Sequence, residues 1–200
     1  MHWTLNDIAN NPDSVTSFDS FGSTNVCFRP LLPDDSIELA KFFNSLGPET
    51  RLWSTRDGYD LHAAQQLCND INRYDKLRLV ALIDNELIVA LFELSLTIMD
   101  EEYLRFAAQY KIVLNDKTDA RFGPCISDEY QNRQLGRFLF EKTKAIASKM
   151  GIERLILWGG VFTENHRAIK FYKSVGFHLF SQSFRNHEQL ECFDGIHYLS

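Results

Sequence analysis

The chain has 200 residues, of which 44% are hydrophobic, and it carries a formal net charge of −6. This length and composition fit one domain with a single sizeable core. The acidic balance argues against nucleic acid as the main partner, because counterion-driven binding requires a basic face.

Two further classes are disfavoured by the composition. No apolar run approaches the length of a membrane span, and the first Lys or Arg is Arg29, so the positive region of a secretory signal is missing. We therefore expect a cytoplasmic protein without a membrane partner. The four cysteines are widely spaced and the six histidines form no ligand-spaced cluster, which favours reduced, buried thiols and no bound metal.

The N-terminal third predicts an extension followed by a strand and two helices. Residues 1–24 are rich in Asn, Asp and Ser and predict an extension with one short helix, ahead of a domain over residues 25–200. A first strand is predicted over Val26–Arg29, stopped by Pro30. Asp34 or Asp35 caps the next helix, whose inward face holds Ile37, Leu39, Ala40, Phe43 and Leu46.

A second helix and a hairpin come next. Apolar residues recur at helical spacing over residues 60–73, at Leu61, Ala64, Leu67, Cys68 and Ile71. Residues 77–83 and 87–98 are β-rich runs joined across Asp84-Asn85-Glu86, which predicts a hairpin. In the second run one face changes from apolar to polar, through Leu87, Val89, Leu91, Glu93, Ser95 and Thr97.

The segment 100–110 alternates acidic and aromatic residues and predicts an inserted helix before a short strand at Ile112–Leu114. One stripe of this helix carries Tyr103, Phe106, Ala107 and Tyr110. We interpret the stripe as core packing in preference to a substrate wall.

The next elements form a strand, loop, helix and strand. Asp119–Ser127 is predicted as a strand, and the helix after it ends at Gly151. A buried strand over Leu155–Trp158 completes a right-handed crossover, so that the two strands should be parallel neighbours. Ligands of such units bind at the carboxyl ends of the strands.

The remaining chain predicts a helix and a hairpin. Gly159-Gly160 leads to Asn165 and to a helix that stops at Gly176-Phe177. Two strands over residues 177–184 and 190–199 then form the hairpin.

The loop Gln131–Arg137 lies at the start of the crossover helix. Backbone N–H groups at a helix N-terminus, together with roughly half a positive charge from the helix dipole, make such a loop a place to hold a phosphate. Its sequence Gln131-Asn132-Arg133-Gln134-Leu135-Gly136 resembles the acyl-CoA motif of the GNAT superfamily of N-acetyltransferases.

A second block supports the same resemblance. Asn165-x-x-Ala168-x-x-Phe171-Tyr172-x-x-x-Gly176-Phe177 is similar to the following motif of that superfamily, at its expected distance. The order of the predicted elements from Val26 to Leu199 also matches. The implied fold class is α/β (α+β): a mixed, mostly antiparallel twisted sheet of six to seven strands, with a parallel βαβ unit at the acyl-CoA site and helices on both faces. One departure is Gln134, which stands where the motif normally has glycine.

The resemblance implies a set of cofactor contacts. Acetyl-CoA would bind with its pyrophosphate against the N–H groups of residues 132–137, with charge from Arg133 and Arg137; the alternative for these two arginines is a solvated helix start. Asn165 would hydrogen-bond the pantetheine arm, although its residue type equally suits an N-cap. The positions matched to cofactor binding are Ile126, Gln131, Asn132, Arg133, Gln134, Leu135, Gly136, Arg137, Asn165, Ala168 and Tyr172.

The resemblance also implies catalytic roles. Tyr172 matches the position of the acid that protonates the departing thiolate, and packing on the sheet is its alternative role. Glu93 is the first candidate for the general base and Glu129 the second, and an ordinary solvated carboxylate is the alternative for each. A backbone N–H near Cys125–Ser127 would polarise the acyl carbonyl. We interpret Cys125 as structural, since the family transfers the acyl group directly.

The predicted function is therefore an acyltransferase that moves an acetyl group from acetyl-CoA to a primary amine, on a small molecule or on a protein lysine or N-terminus, in a ternary complex and without a metal. A non-catalytic acyl-CoA-binding module of the same fold is the alternative. Exposed edges of such a sheet can pair, which allows a homodimer.

Overall fold

A computed structural model describes residues 2–54, 56, 58–69 and 75–199 of the chain. The chain divides into two compact units. One, here called the N-terminal unit, comprises Trp3–Glu93 and Pro124–Thr143. The other, here called the C-terminal unit, comprises Met1–His2, Leu94–Gly123 and Lys144–Ser200.

Four strands follow one another in the N-terminal unit. They are β1 (Ser17–Phe21), β2 (Thr24–Pro30), β3 (Lys76–Ile83) and β4 (Leu87–Ser95, of which the last two residues belong to the other unit). The strands are neighbours in this order, and β2 is antiparallel to both β1 and β3.

The predicted hairpin is confirmed in β3 and β4. Asp84 and Asn85 both adopt the left-handed region, with φ of 50° and 63°, and the N–H of Glu86 donates to the carbonyl of Ile83 at 3.0 Å. This is the two-residue turn whose twist suits a hairpin, and Asp and Asn tolerate its backbone angles better than most residues.

Strand β1 lies in the segment that we predicted as an extension. Its exposed positions include Phe18, whereas Asp19 is half-buried, so its side chains carry no apolar alternation. The strand forms through its backbone pairing with β2, from Ser17 opposite Phe28 to Phe21 opposite Thr24.

The helices of the N-terminal unit are α1 (Leu5–Asn10), α2 (Ser36–Ser45), α3 (Pro48–Leu52) and α4 (Leu61–Asn69). The short helix α1 was predicted. The remainder of the predicted helix over 60–73, from residue 70 onward and including Ile71, lies outside the described residues.

The inward face of α2 contains Phe42, which was not predicted, and lacks Ile37, which was. Ile37 is 61% exposed, and Phe42 is buried in the core beside Leu39, Phe43 and Leu46. These four residues follow helical spacing, which Ile37 does not share. Asp35 is at the N-cap but makes no capping bond, because its carboxylate accepts hydrogen bonds from Arg29 and the N–H of Leu32.

The strands of the C-terminal unit contain the predicted parallel pair and the final hairpin. They are β5 (Asp119–Ile126, whose last three residues belong to the N-terminal unit), β6 (Arg154–Leu157), β7 (Val161–Phe162), β8 (His178–Arg185) and β9 (Glu191–Tyr198). Their order is β5-β6-β9-β7, with β8 also paired to β9. Strands β5 and β6 are parallel and the other pairs antiparallel. The two-residue strand β7 was not predicted, since it is too short to carry a pattern.

Three helices remain. They are α5 (Asp100–Arg105), α6 (Leu135–Lys149, which runs from the N-terminal into the C-terminal unit) and α7 (His166–Ser174). Residues Phe106–Tyr110 continue α5 as a π-helical turn.

The aromatic stripe of the inserted helix packs in the core, as interpreted from the sequence. Phe106 is buried, and Tyr103 and Tyr110 pack against the cluster that contains it. The strand predicted at Ile112–Leu114 does not form. Lys111 ends the π-helical turn in the left-handed conformation, with φ of 58°, and the following residues are irregular.

An ion pair joins the two parallel strands of the C-terminal unit. Arg154 donates to both carboxylate oxygens of Asp119 at 2.6 Å, and the Asp119 side chain is fully buried. The carboxylate also accepts the N–H of Asn115 at 2.7 Å. Removing one partner of a buried pair leaves an uncompensated charge, which is costly.

We expect Arg154→Met to lower the free energy of unfolding by about 3–5 kcal/mol, because it leaves the Asp119 carboxylate without its cation. Urea denaturation measures the loss. The matched control is Arg185→Met, which removes an arginine whose pair with Glu191 is 63% and 55% exposed. Such an exposed pair contributes about 0.2–1 kcal/mol. Equal losses in the two variants would contradict the prediction.

Candidate active site

The loop predicted to bind phosphate connects β5 to α6 in the N-terminal unit. A 3₁₀ turn over Asp128–Tyr130 follows β5, and α6 begins at Leu135. The first helical hydrogen bond runs from the N–H of Phe138 to the carbonyl of Gln134, at 3.1 Å. The N–H groups of Leu135 and Gly136 therefore have no acceptor within the helix and can bind an anion.

Two residues of this loop adopt the left-handed backbone region. Asn132 has φ of 57° and Gln134 has φ of 67°. Asn tolerates this conformation, but for Gln134 it costs roughly 1–2 kcal/mol. The chain therefore keeps the backbone conformation that favours glycine at the position where the family motif has one. The Gln134 side chain is exposed.

Side chains hold the loop against α3. Asp128 accepts the N–H of Gly47 at 2.8 Å and the hydroxyl of Thr50 at 2.7 Å. The amide nitrogen of Gln131 donates to the Thr50 hydroxyl at 3.1 Å and to the carbonyl of Ile126 at 2.7 Å. Thr50 thus bridges both ends of the turn. Gln131 supports the loop through its side chain.

At the end of β5, one backbone N–H group points away from the neighbouring strand β4. The N–H of Ser127 donates to the carbonyl of Val89 on β4 at 2.9 Å. Because successive N–H groups of a strand point to opposite edges, the N–H of Cys125 points toward β4 and that of Ile126 points away from it. Pro124 has no N–H. Of the three residues predicted to polarise the acyl carbonyl, Ile126 has its N–H on the edge opposite β4.

Glu93 lies between two arginines. Arg56 donates to its Oε2, and the Nε of Arg78 donates to its Oε1 at 3.0 Å. Burial raises the pKa of the Glu93 carboxyl, but the charges of Arg56 and Arg78 and their hydrogen bonds lower it more, so that the pKa lies below its usual value. A carboxylate in this arrangement is a weak base.

The other charged candidates of the loop are exposed. Glu129 lies on the 3₁₀ turn, and Arg133 and Arg137 lie at the start of α6. Cys125, which precedes the loop, is buried in the hydrophobic core of the N-terminal unit.

The second motif forms the start of α7 in the C-terminal unit. Asn165 is the N-cap, and its Oδ1 accepts the N–H of Ala168 at 3.0 Å. Among the described residues its amide nitrogen has no acceptor, so its two N–H donors remain for a ligand. Tyr172 is buried and packs against Phe171 and Phe177, with ring centroids 5.3 Å apart in each case.

The predicted site residues therefore form two groups. Ile126 and the loop Gln131–Arg137 lie together in the N-terminal unit with Glu93 and Glu129. Asn165, Ala168 and Tyr172 lie together in the C-terminal unit. Within the described parts of the chain no three His, Cys, Asp or Glu side chains are grouped to hold a metal, and no helix is long and apolar enough to cross a membrane.

Sequence reasoning missed the partners that hold these groups in place. Gly47 and Thr50 bind the loop from about eighty residues away, and Arg78 binds Glu93 from the neighbouring strand. Such long-range pairs have no local signature. The signal available in the sequence was Arg78, a single arginine within the otherwise apolar run of residues 77–83.

The sequence comparison decides the family. A model of the "Acetyltransferase (GNAT) family" matches residues 40–177. This chain belongs to the GNAT family. The match includes both motifs, and the GNAT fold class predicted from them is confirmed. The family uses acetyl-CoA and catalyses acyl transfer. None of the curated protein sequences matches the chain.

Solved structures share the GNAT fold at low sequence identity. A ribosomal-protein-S5-alanine acetyltransferase from Vibrio fischeri is 12% identical, with a TM-score of 0.67 over 92% of this chain and 97% of that one. A spermidine N-acetyltransferase SpeG chimera from Vibrio cholerae and hSSAT is 17% identical, with a TM-score of 0.63 over 87% and 95%. The yncA protein of Salmonella typhimurium, solved with its cofactor acetyl-CoA, is 14% identical, with a TM-score of 0.62 over 88% and 94%.

We expect Thr50→Val to loosen the loop of this GNAT protein, because it removes one hydrogen-bond partner each from Asp128 and Gln131. Each lost hydrogen bond of this kind contributes about 0.5–1.5 kcal/mol. Amide hydrogen exchange should therefore become faster over residues 128–134. The control is Thr16→Val, whose hydroxyl donates to the carbonyl of Pro12. Unchanged exchange in the loop would show that Thr50 does not support it.

Proposed function

We propose that this protein is an N-acetyltransferase that moves an acetyl group from acetyl-CoA to a primary amine by direct transfer in a ternary complex. The observation that carries the proposal is the N-terminus of α6, where the N–H groups of Leu135 and Gly136 lack acceptors within the helix. A diphosphate matches these donors and the positive end of the helix dipole.

Each motif has a proposed cofactor role. The backbone of Asn132–Arg137 binds the pyrophosphate, with Arg133 and Arg137 adding charge-assisted hydrogen bonds. Ile126 offers its N–H to the acyl end of the cofactor. The free amide nitrogen of Asn165 supports its proposed hydrogen bond to the pantetheine arm, with Ala168 on the same turn.

The chemistry requires two proton transfers. The amine nitrogen attacks the thioester carbonyl carbon, the new C–N bond forms, and the C–S bond breaks. The departing thiolate takes a proton from the Tyr172 hydroxyl, and the amine gives up its proton to a base. A free alkyl amine with a pKa of about 10.4 is mostly protonated at neutral pH, so one proton leaves its ammonium group for solvent before the attack, and the base takes the second proton that the nitrogen loses on acylation.

Glu93 and Glu129 are the two candidates for this base. Glu93 lies where β4 turns polar, but both its oxygens accept hydrogen bonds from arginines. Because the two arginines hold the pKa of its carboxyl below the usual value in spite of its burial, Glu93 is a weak base. Glu129 is exposed and has no hydrogen-bonding partner among the described residues. The pH dependence of turnover in Glu93→Gln and Glu129→Gln separates the two.

The acceptor is a primary amine of a small molecule or of a protein. Among the structures that share the fold, one is named for acetylation of spermidine and another for acetylation of the alanine of a ribosomal protein. The fold therefore serves both kinds of acceptor.

Isothermal titration tests the cofactor. We expect acetyl-CoA and CoA to bind and pantetheine, which has no pyrophosphate, to bind much more weakly, because it lacks the anion that the α6 N-terminus is proposed to hold. Absence of acetyl-CoA binding at millimolar concentration contradicts the proposed function.

Tyr172→Phe tests the acid. We expect turnover to fall by about 100-fold or more while the affinity for acetyl-CoA changes little, since general acid catalysis contributes on that scale. The control is Tyr198→Phe, which removes a hydroxyl from an exposed tyrosine of the same unit. An equal loss of turnover and affinity, or no loss, would remove Tyr172 from this role.

A non-catalytic acyl-CoA-binding module is the second candidate. It is favoured by Gln134 in the left-handed conformation and by the engaged carboxylate of Glu93. Release of CoA over a panel of amines and peptides distinguishes the two functions, because a binding module binds acetyl-CoA without consuming it.

A further inference from the structure

Positive charge is in excess around Glu93. Arg56 and Arg78 share this single carboxylate, and among the described residues neither makes an ion pair with any other acid. The three side chains are only 16%, 10% and 10% exposed. Within the described part of the chain, two buried guanidinium groups on one carboxylate leave one positive charge without a counterion, which is costly unless an anion joins them.

The same two arginines have unused hydrogen-bond donors. The Nε of Arg56 and an Nη of Arg78 (Nη1) are buried and have no acceptor among the described residues. Both guanidinium groups contact the same carboxylate, so they lie close to each other. Buried N–H donors without acceptors are rare in folded proteins and call for a ligand or an ordered water.

The surroundings add charge and aromatic surface. Arg51 also makes no ion pair among the described residues; it donates to the carbonyls of Phe43 and Asn44, and its guanidinium lies 4.8 Å from the Tyr59 ring centroid. Arg56 lies 5.4 Å from the Phe43 ring centroid.

The cluster is also close to the candidate acyl end of the cofactor. Burial lowers the pKa of Arg56, whereas Glu93 and then Cys125 raise it electrostatically. Cys125 is therefore close to the Arg56 guanidinium. The next residue along β5 is Ile126, whose N–H points away from β4. An anion bound by Arg56 therefore lies in the same unit as the phosphate-binding loop, near the end of β5.

We infer that the acceptor amine of this protein carries a carboxylate, and that Arg56 and Arg78 bind this carboxylate through their unused N–H donors. The inference rests on the proposed N-acetyltransferase function and narrows its acceptor to amino-acid-like amines. A polycationic amine would bring further positive charge to a place that already has an excess.

A carboxylate suits the cluster better than a phosphate. Its two oxygens can accept one N–H from each of the two unpartnered nitrogen atoms, Arg56 Nε and Arg78 Nη1, and arginine matches planar anions well. A phosphate dianion has three terminal oxygens to satisfy in a place with little access to water.

Matched pairs of amines test the inference through kcat/KM. Each pair differs only in the carboxylate: lysine with cadaverine, phenylalanine with phenylethylamine, and alanine with ethylamine. We expect the amino acid of a pair to be at least about 10-fold better, because a charge-assisted hydrogen bond contributes on that scale. Phosphoethanolamine against ethanolamine tests the phosphate, and spermidine tests the polycation.

Binding is measured independently of turnover. In protein labelled with ¹⁵N-arginine and saturated with CoA, the Nε–H signal of Arg56 should shift when an amino acid is added, since this donor gains an acceptor. The signal is assigned by its loss in Arg56→Lys, which keeps the positive charge beside Glu93 and so the folded state.

The variants complete the test. Arg56→Lys and Arg78→Lys should reduce the preference for the carboxylate by about 10-fold, since each removes part of the planar donor set. The control Lys41→Met removes a cation of the same unit that pairs with exposed Glu38, and it should leave the preference unchanged.

The outcomes separate this inference from the proposed function. Suppose that acetyl-CoA binds but the decarboxylated, phosphorylated or polycationic amines are the better substrates, or that no amino acid shifts the Arg56 Nε–H signal. The inference of a carboxylate-bearing acceptor is then wrong, while the proposed N-acetyltransferase function stands. The inference is also wrong if the preference for the carboxylate-bearing amine is unchanged in both Arg56→Lys and Arg78→Lys. If acetyl-CoA does not bind, the proposed function fails.

Discussion

The proposed binding of the CoA pyrophosphate by this GNAT protein depends on the N–H groups of Leu135 and Gly136, which have no acceptors within α6. A loop that leaves these donors open must be held by other means. Here the means are the hydrogen bonds from Gly47 and Thr50 to Asp128, and those from Gln131 to Thr50 and Ile126. They fix the turn so that the left-handed backbone at Gln134 persists in spite of its cost.

The buried charges of the two units differ in balance. In the C-terminal unit, Asp119 pairs with Arg154 and Asp194 pairs with Arg105, and Tyr110 donates a further hydrogen bond to Asp194. Each of these two buried carboxylates pairs with one arginine, so the negative and positive charges of each pair balance. The N-terminal unit instead places two arginines on Glu93. Buried ion pairs are a weak source of stability, and an unequal set is explained better by binding than by folding.

Most elements were predictable because their signals are local. Apolar spacing and a glycine stop predicted α6 and α7, Asp84-Asn85 predicted the hairpin of β3 and β4, and two motifs predicted the fold class and the family. The errors have physical causes: β1 pairs through its backbone with a polar sequence, and Ile112–Leu114 follows Lys111 in a left-handed conformation. The support of the loop by Thr50 and the clamping of Glu93 could not be predicted, since they join residues far apart in the chain.

The short helix α3 supports two features at once. Its Thr50 holds the phosphate-binding loop, and the chain that leaves it carries Arg56 to Glu93. A ligand that orders either feature also restrains this five-residue helix, and so lowers the entropy that the second ligand must lose. Such coupling is reciprocal: each cosubstrate raises the affinity for the other by the same factor. The two proposed sites together therefore imply synergy between acetyl-CoA and the acceptor in binding, transmitted through the connection between α2 and α4.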